Sequence, residues 1–160
     1  MSLYEAILLL HSFTRWLLLA SAAATALAGL AGALGGQPFG ARDRAVARAF
    51  VTCVDAQVLL GLSQYFGLSP LARAARALWA SEGFAALWAE RELRFFGVIH
   101  PLLMLLAASV AHASWVAARR SECASERHRR LGFGAALALG LFLAAIPWPF
   151  LGHERPWFRF

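Results

Sequence analysis

The sequence predicts an all-α fold, an integral membrane four-helix bundle with short interfacial helices between its second and third spans. Three observations predict it. Residues of the set AVILMFWYC make up 60% of the 160-residue chain and charged residues 15%, with a mean hydropathy of +0.59, far more apolar than a soluble domain. A hydrocarbon core about 30 Å thick takes about 20 apolar residues per helix, and four segments reach that length, about 6–34, 47–67, 95–117 and 131–151. These runs do not alternate apolar with polar residues, as the strands of a membrane barrel do. The chain, 1–160, therefore reads as a single transmembrane domain.

The first segment is uncharged from Trp16 onward, and Met1 to Thr14 hold no Lys or Arg, so a cleaved signal peptide is not expected. The second carries Asp55 and Gln57 inside its apolar run. Between the second and third lies SPLARAARALWASEGFAALWAERELR, too charged to span. Its apolar residues, Leu71, Ala75, Leu78 and Trp79, then Phe84, Leu87 and Trp88, have helical spacing interrupted at Ser81-Glu82-Gly83. That pattern predicts two short interfacial helices over 69–93, tryptophans toward lipid. The third segment carries His100-Pro101 and His112, and the fourth stops at IPWPF, two prolines around an interfacial Trp. Cys53 and Cys123 have no metal-type spacing and are expected to be free thiols.

Four spans put both termini on one side, which lets the loops be sorted by charge. The side holding loops 35–46 and 118–130 has Arg42, Arg44, Arg48, Arg119, Arg120, Arg127, Arg129 and Arg130 against Asp43, Glu122 and Glu126. The other side is nearly balanced. The positive-inside bias predicts that the termini and the 69–93 connection lie outside the cytoplasm. The pI of about 10.9 then reflects topology and contact with anionic lipid, and nucleic acid is not an expected partner.

An ionisable side chain at depth costs at least about 2.5 kcal/mol on insertion scales, so each one marks a candidate site. His11 and His100 lie at the same depth, several ångströms below the outer interface, on different helices. Two such imidazoles can ligate one b-type haem iron from opposite sides. No CxxCH attachment motif is present, so the haem would be held non-covalently. Arg15, Arg91 and Arg94 are candidate cations for its propionates. Arg15 shares a helix face with His11 one turn deeper, and has two further options: a buried acid such as Asp55, or backbone carbonyls and interfacial water.

His112 has three open roles: a bond to Asp55 as an ion pair or proton relay, ligation of a second haem with His128, or a structural role. His128 within ERHRR is otherwise expected in a solvated, lipid-facing basic patch, and His153 in an exposed tail. Gln64 and Tyr65 fall near the outer interface, as a quinone site or an anchor. Ser12 beside His11 cannot make a hydrolytic triad, because neighbours on a helix point apart.

HSFTRW, AQVLLGLSQYF, RFFGVIH and IPWPF, spread over nearly the whole chain, resemble small four-helix bacterial membrane proteins labelled cytochrome b. More loosely, the chain is similar to bacterial cytochrome b561. The resemblance implies a bacterial inner-membrane electron carrier, working between quinone and a partner at the outer face, with two haems held by two histidine pairs. A helix-2 histidine expected of that pattern is absent here, with Asp55 in its region, so one haem is expected and a second stays open. Two other classes are carried alongside: an accessory subunit of a larger respiratory or photosynthetic membrane complex, and a homo-oligomeric metal or proton transport element using His11, His100, Asp55 and His112.

Overall fold

A computed structural model describes residues 1–152, 156 and 157. The described residues contain helices and no strand. In chain order they are α1 (Leu3–Leu34), α2 (Ala41–Ser63) continuing through a π-helical turn (Gln64–Leu68), α3 (Pro70–Glu82), α4 (Phe84–Ala89), α5 (Arg91–Arg94), a second π-helical turn (Phe95–Ile99), α6 (His100–Arg120), α7 (Ala124–Ala145) and a 3-10 turn (Pro149–Leu151).

Local chemistry sets these limits. Ser2 caps α1, accepting the Glu5 N–H at 3.2 Å while the Glu5 carboxylate accepts the Ser2 N–H at 2.7 Å, a reciprocal capping box. Asp43 accepts the Gly40 N–H at 2.8 Å, which starts α2 at Ala41, ahead of the expected apolar run. Ser69 and Pro70 open α3, the proline occupying a first-turn position where a missing N–H is harmless. Gly83, at φ 88°, separates α3 from α4 in a conformation that other residues adopt at a cost.

Three helical stretches are long and apolar enough to cross a membrane: Leu3–Leu34, Ala41–Leu68 and Arg91–Arg120. In the last two only 22% of the spanning window is buried. Leu59, Leu102 and Leu105 are among the exposed side chains, a surface suited to lipid contact. The fourth expected segment differs. Its helix runs Ala124–Ala145, beginning in the charged turn Glu126-Arg127-His128-Arg129-Arg130 and ending six residues before 151. Pro147 and Pro149 stop it, because the residue before a proline is driven out of the α region, and Ile146 sits at ψ 131°.

The four long helices pack side by side, α7 against α1 and α6, and α1 against α2, with α2 and α6 touching least. Small residues make the seams. A Cβ on Gly29 would lie 2.6 Å from the Gly132 backbone, and Gly134 faces Ser114 just as closely. Such surfaces let apolar helices approach where burial from water gives no drive. Ala22, Phe50, Val54, Ala107, Ala111 and Phe142 fill the common core.

His128 corrects its sequence expectation. It is 1% exposed, not part of a solvated patch, because Gly32 has no Cβ to obstruct its ring and Phe39 meets it edge-on at 5.0 Å.

Because the α1–α7 crossing is backbone on backbone, Gly29→Ala should destabilise the protein by about 1–3 kcal/mol through overpacking. Gly140→Ala, at a position with open space around it, should be neutral or slightly stabilising. Thermal unfolding in detergent, followed by circular dichroism, measures both.

Candidate functional site

The prolines that shape this chain also free backbone carbonyls, and side chains take them. Pro101 has no N–H for the Gly97 carbonyl four residues before it; the Tyr65 hydroxyl donates there at 3.0 Å. Pro147 leaves the Leu143 carbonyl, which the Trp148 indole N–H reaches at 2.8 Å. With α7 ended at Ala145 by the prolines that follow, the Ala145 carbonyl is one of the last-turn carbonyls without a helical donor, and His100 Nδ1 lies 2.7 Å from it. A carbonyl only accepts, so Nδ1 carries the proton and the lone pair of a neutral His100 is on Nε2.

His11 comes to the same place from α1. The two ring planes lie at 72° to each other with centroids 6.4 Å apart. Gln57 of α2, 4% exposed, fixes His11 from the other side. Its amide N–H donates to the His11 carbonyl at 3.1 Å and lies 3.3 Å from His11 Nε2, while Thr14 Oγ1 donates to its Oε1 at 2.5 Å. With the amide donating to Nε2, the His11 proton sits on Nδ1, which is buried without a hydrogen-bond partner among the described residues and faces Gly61.

Both rings line a cleft of about 150 Å³ enclosed between α1, α2, α6 and α7. Arg15, Gln57, Gln64, Tyr65 and Met104 share its wall. Tyr65 belongs to one π-helical turn, and the carbonyl it reaches to the other; such turns often accompany functional sites. Over one end lies the tail residue Pro156, next to Trp157, which stacks on Trp16 at 6.3 Å and whose carbonyl accepts from Arg15 at 2.8 Å.

The other candidates lie elsewhere. Arg91 donates to the Leu151 carbonyl, and Arg94 donates to the Trp88 carbonyl at 2.5 Å over the Trp88 ring; neither lines the cleft. Asp55 is not a buried acid available to Arg15. It accepts from His112 Nε2 at 2.8 Å, on the outer side of the α2–α6 seam. His112 and His128 are therefore not a pair: one bridges α2 and α6, and the other is sealed against α1 with neither ring nitrogen hydrogen-bonded among the described residues. His153 falls outside the described residues. Cys53 and Cys123 are free thiols.

Sequence reading missed Gln57 as the clamp on His11 and the IPWPF stop as the source of His100's acceptor. The second carried a signal: two prolines end the helix, and the last carbonyls of a helix have no helical donors.

No family model, no curated protein and no solved structure matches this chain. Among the described residues no group of three or more His, Cys, Asp or Glu is arranged to hold a metal ion.

Tyr65→Phe should lose about 1 kcal/mol of stability by stranding the Gly97 carbonyl. The loss should shrink in a Pro101→Ala background, where residue 101 regains an N–H for that carbonyl. A double-mutant cycle of unfolding free energies in detergent measures the coupling.

Proposed function

We propose that this chain is a four-helix integral membrane protein of bacterial cytochrome b type, holding one b-type haem between His11 and His100 and passing single electrons between quinone and a redox partner. The observation that carries the reading is the histidine pair: two imidazoles from separate helices line one cleft at a centroid distance of 6.4 Å. Two imidazoles holding one metal from opposite sides at about 2 Å per bond would have their centroids about 6 Å apart, and it is in this separation that the pair matches.

The residues fit the group in most respects. His100 has Nδ1 tied to the Ala145 carbonyl, the arrangement that holds the tautomer and raises the basicity of a ligating Nε2. Ligation through His11 Nε2 requires Gln57 to release that atom; its bonds to Thr14 and to the His11 carbonyl hold the amide beside it. Arg15 is the cleft's cation, suited to a propionate. The cleft is below the usual 300–1000 Å³ of ligand sites, so holding a porphyrin would require α2 and α6, the least packed pair, to part and the Asp55–His112 bond between them to yield. A bound haem would supply a one-electron iron couple, its potential tuned by the two imidazoles that hold it and by the low-dielectric surroundings.

In this reading α7 is the fourth span, its first-turn arginines at the cytoplasmic face and its prolines at the outer one, with both termini outside. Gln64 and Tyr65, on the cleft wall near the outer end, are where a quinone headgroup would meet polar side chains.

Protein produced in haem-replete cells should show a b-type α-band in a reduced-minus-oxidised spectrum, with one haem per chain. His11→Ala and His100→Ala should each abolish that band, and His112→Ala should keep it. Purified, folded protein without the band would sink the assignment.

A further inference from the structure

The Asp55–His112 pair lies outside the cleft, and the haem reading makes no use of it. The bond joins α2 to α6 at 2.8 Å, yet 46% of the His112 side chain and 55% of the Asp55 side chain stay exposed. Each residue lies about two helical turns, or roughly 10 Å, from an arginine of its own helix, Arg48 and Arg119. With α2 and α6 spanning the bilayer, this places a carboxylate and an imidazole in hydrocarbon, facing outward. Asp55 Oδ2 and His112 Nδ1 make no hydrogen bond among the described residues, and lipid tails offer none.

We propose that the outer face of α2 and α6 is a contact surface between two copies of this chain, with the two Asp55–His112 pairs meeting across the two-fold axis. The occupant follows from the chemistry of the pair. Carrying no net charge, as hydrocarbon favours, and with the proton shared between His112 Nε2 and Asp55 Oδ1, one copy presents one spare donor, Nδ1–H, and one spare acceptor, Oδ2. A two-fold axis sets donor against acceptor twice over, which satisfies all four groups with one self-complementary patch. An apolar partner surface would leave both spare groups of a copy unpaired. Buried polar side chains are the usual adhesive between helices in lipid. The surroundings suit the same contact: Leu59 is exposed one turn from Asp55, Ser109 is exposed one turn from His112, and α2–α6 is the seam least closed from within. The inference rests on the transmembrane placement of α2 and α6 and not on haem.

The test uses the full chain in phosphatidylcholine vesicles at high dilution in lipid, with Cys53→Ala and Cys123→Ser removing the native thiols. Ser109→Cys in this background should form disulfide-linked dimers on oxidation, at least ten-fold more than Leu137→Cys, whose side chain is exposed on α7. Adding Asp55→Leu or His112→Leu should lower the Ser109→Cys yield about ten-fold while the helical circular dichroism is retained. A Ser109→Cys yield no higher than that of Leu137→Cys, or one unchanged by both leucine variants, overturns the proposal. Haem absorbance read on the same vesicles reports separately on the cytochrome reading: a haem-free dimer sinks that reading alone, and a haem-loaded monomer sinks only this interface.

Discussion

Backbone polar groups that no water can reach must find partners inside the protein, and the architecture around the cleft follows from that requirement. Pro101 removes one N–H from within a helix, and Pro147 with Pro149 ends α7 at Ala145, so that carbonyls are left without helical donors. Those of Gly97, Leu143 and Ala145 are answered by Tyr65, Trp148 and His100. Two of these bonds tie separate helical elements together: Tyr65 joins the end of α2 to the turn before α6, and His100 joins α6 to the end of α7. A residue type usually treated as a helix breaker here converts local loss into tertiary links. The third bond is local and closes the end of α7 on itself.

The same logic decides what the histidines can do. His100 cannot rotate freely, since turning its Nδ1–H from Ala145 would strand a carbonyl, so its other nitrogen is presented in a fixed direction. His11 is held differently, by a glutamine from the neighbouring helix whose amide also bonds the His11 backbone. One imidazole is thus positioned by backbone and the other by a side chain, and the second arrangement is the more adaptable. Arg15 and the tryptophans that draw the tail residue Trp157 over one end complete a wall that is polar at a few points and apolar elsewhere, as small-molecule sites generally are.

The packing around the helices is uneven for a reason of composition. Where glycine faces glycine, between α1 and α7, the backbones touch, and where Gly134 faces Ser114, between α6 and α7, the backbone of one helix meets a small side chain of the other. Between α2 and α6 the near-facing groups include Asp55 and His112, which meet through a hydrogen bond at the surface in place of close packing. The seam of least contact is therefore bridged by polar atoms, and the adjoining side of the cleft is the one most easily parted.

Much of this was legible from residue order alone. A fixed rise per residue converts sequence separation into depth, so the match in level between His11 and His100, and the distance of His112 from both, could be read directly. Apolar run lengths likewise announced the long helices, and a glycine the break after α3. Azimuth is another matter. Which way a side chain points around its helix, and which neighbour it meets, depends on the order in which helices pack, and strongly apolar helices give little contrast between their faces. That is why Gln57 proved to be an interior clamp, Asp55 an outward-facing partner of His112, and His128 a buried ring seated on Gly32. Their depth followed from counting residues, whereas their company followed from how closely the glycine-lined seams allowed particular helices to approach.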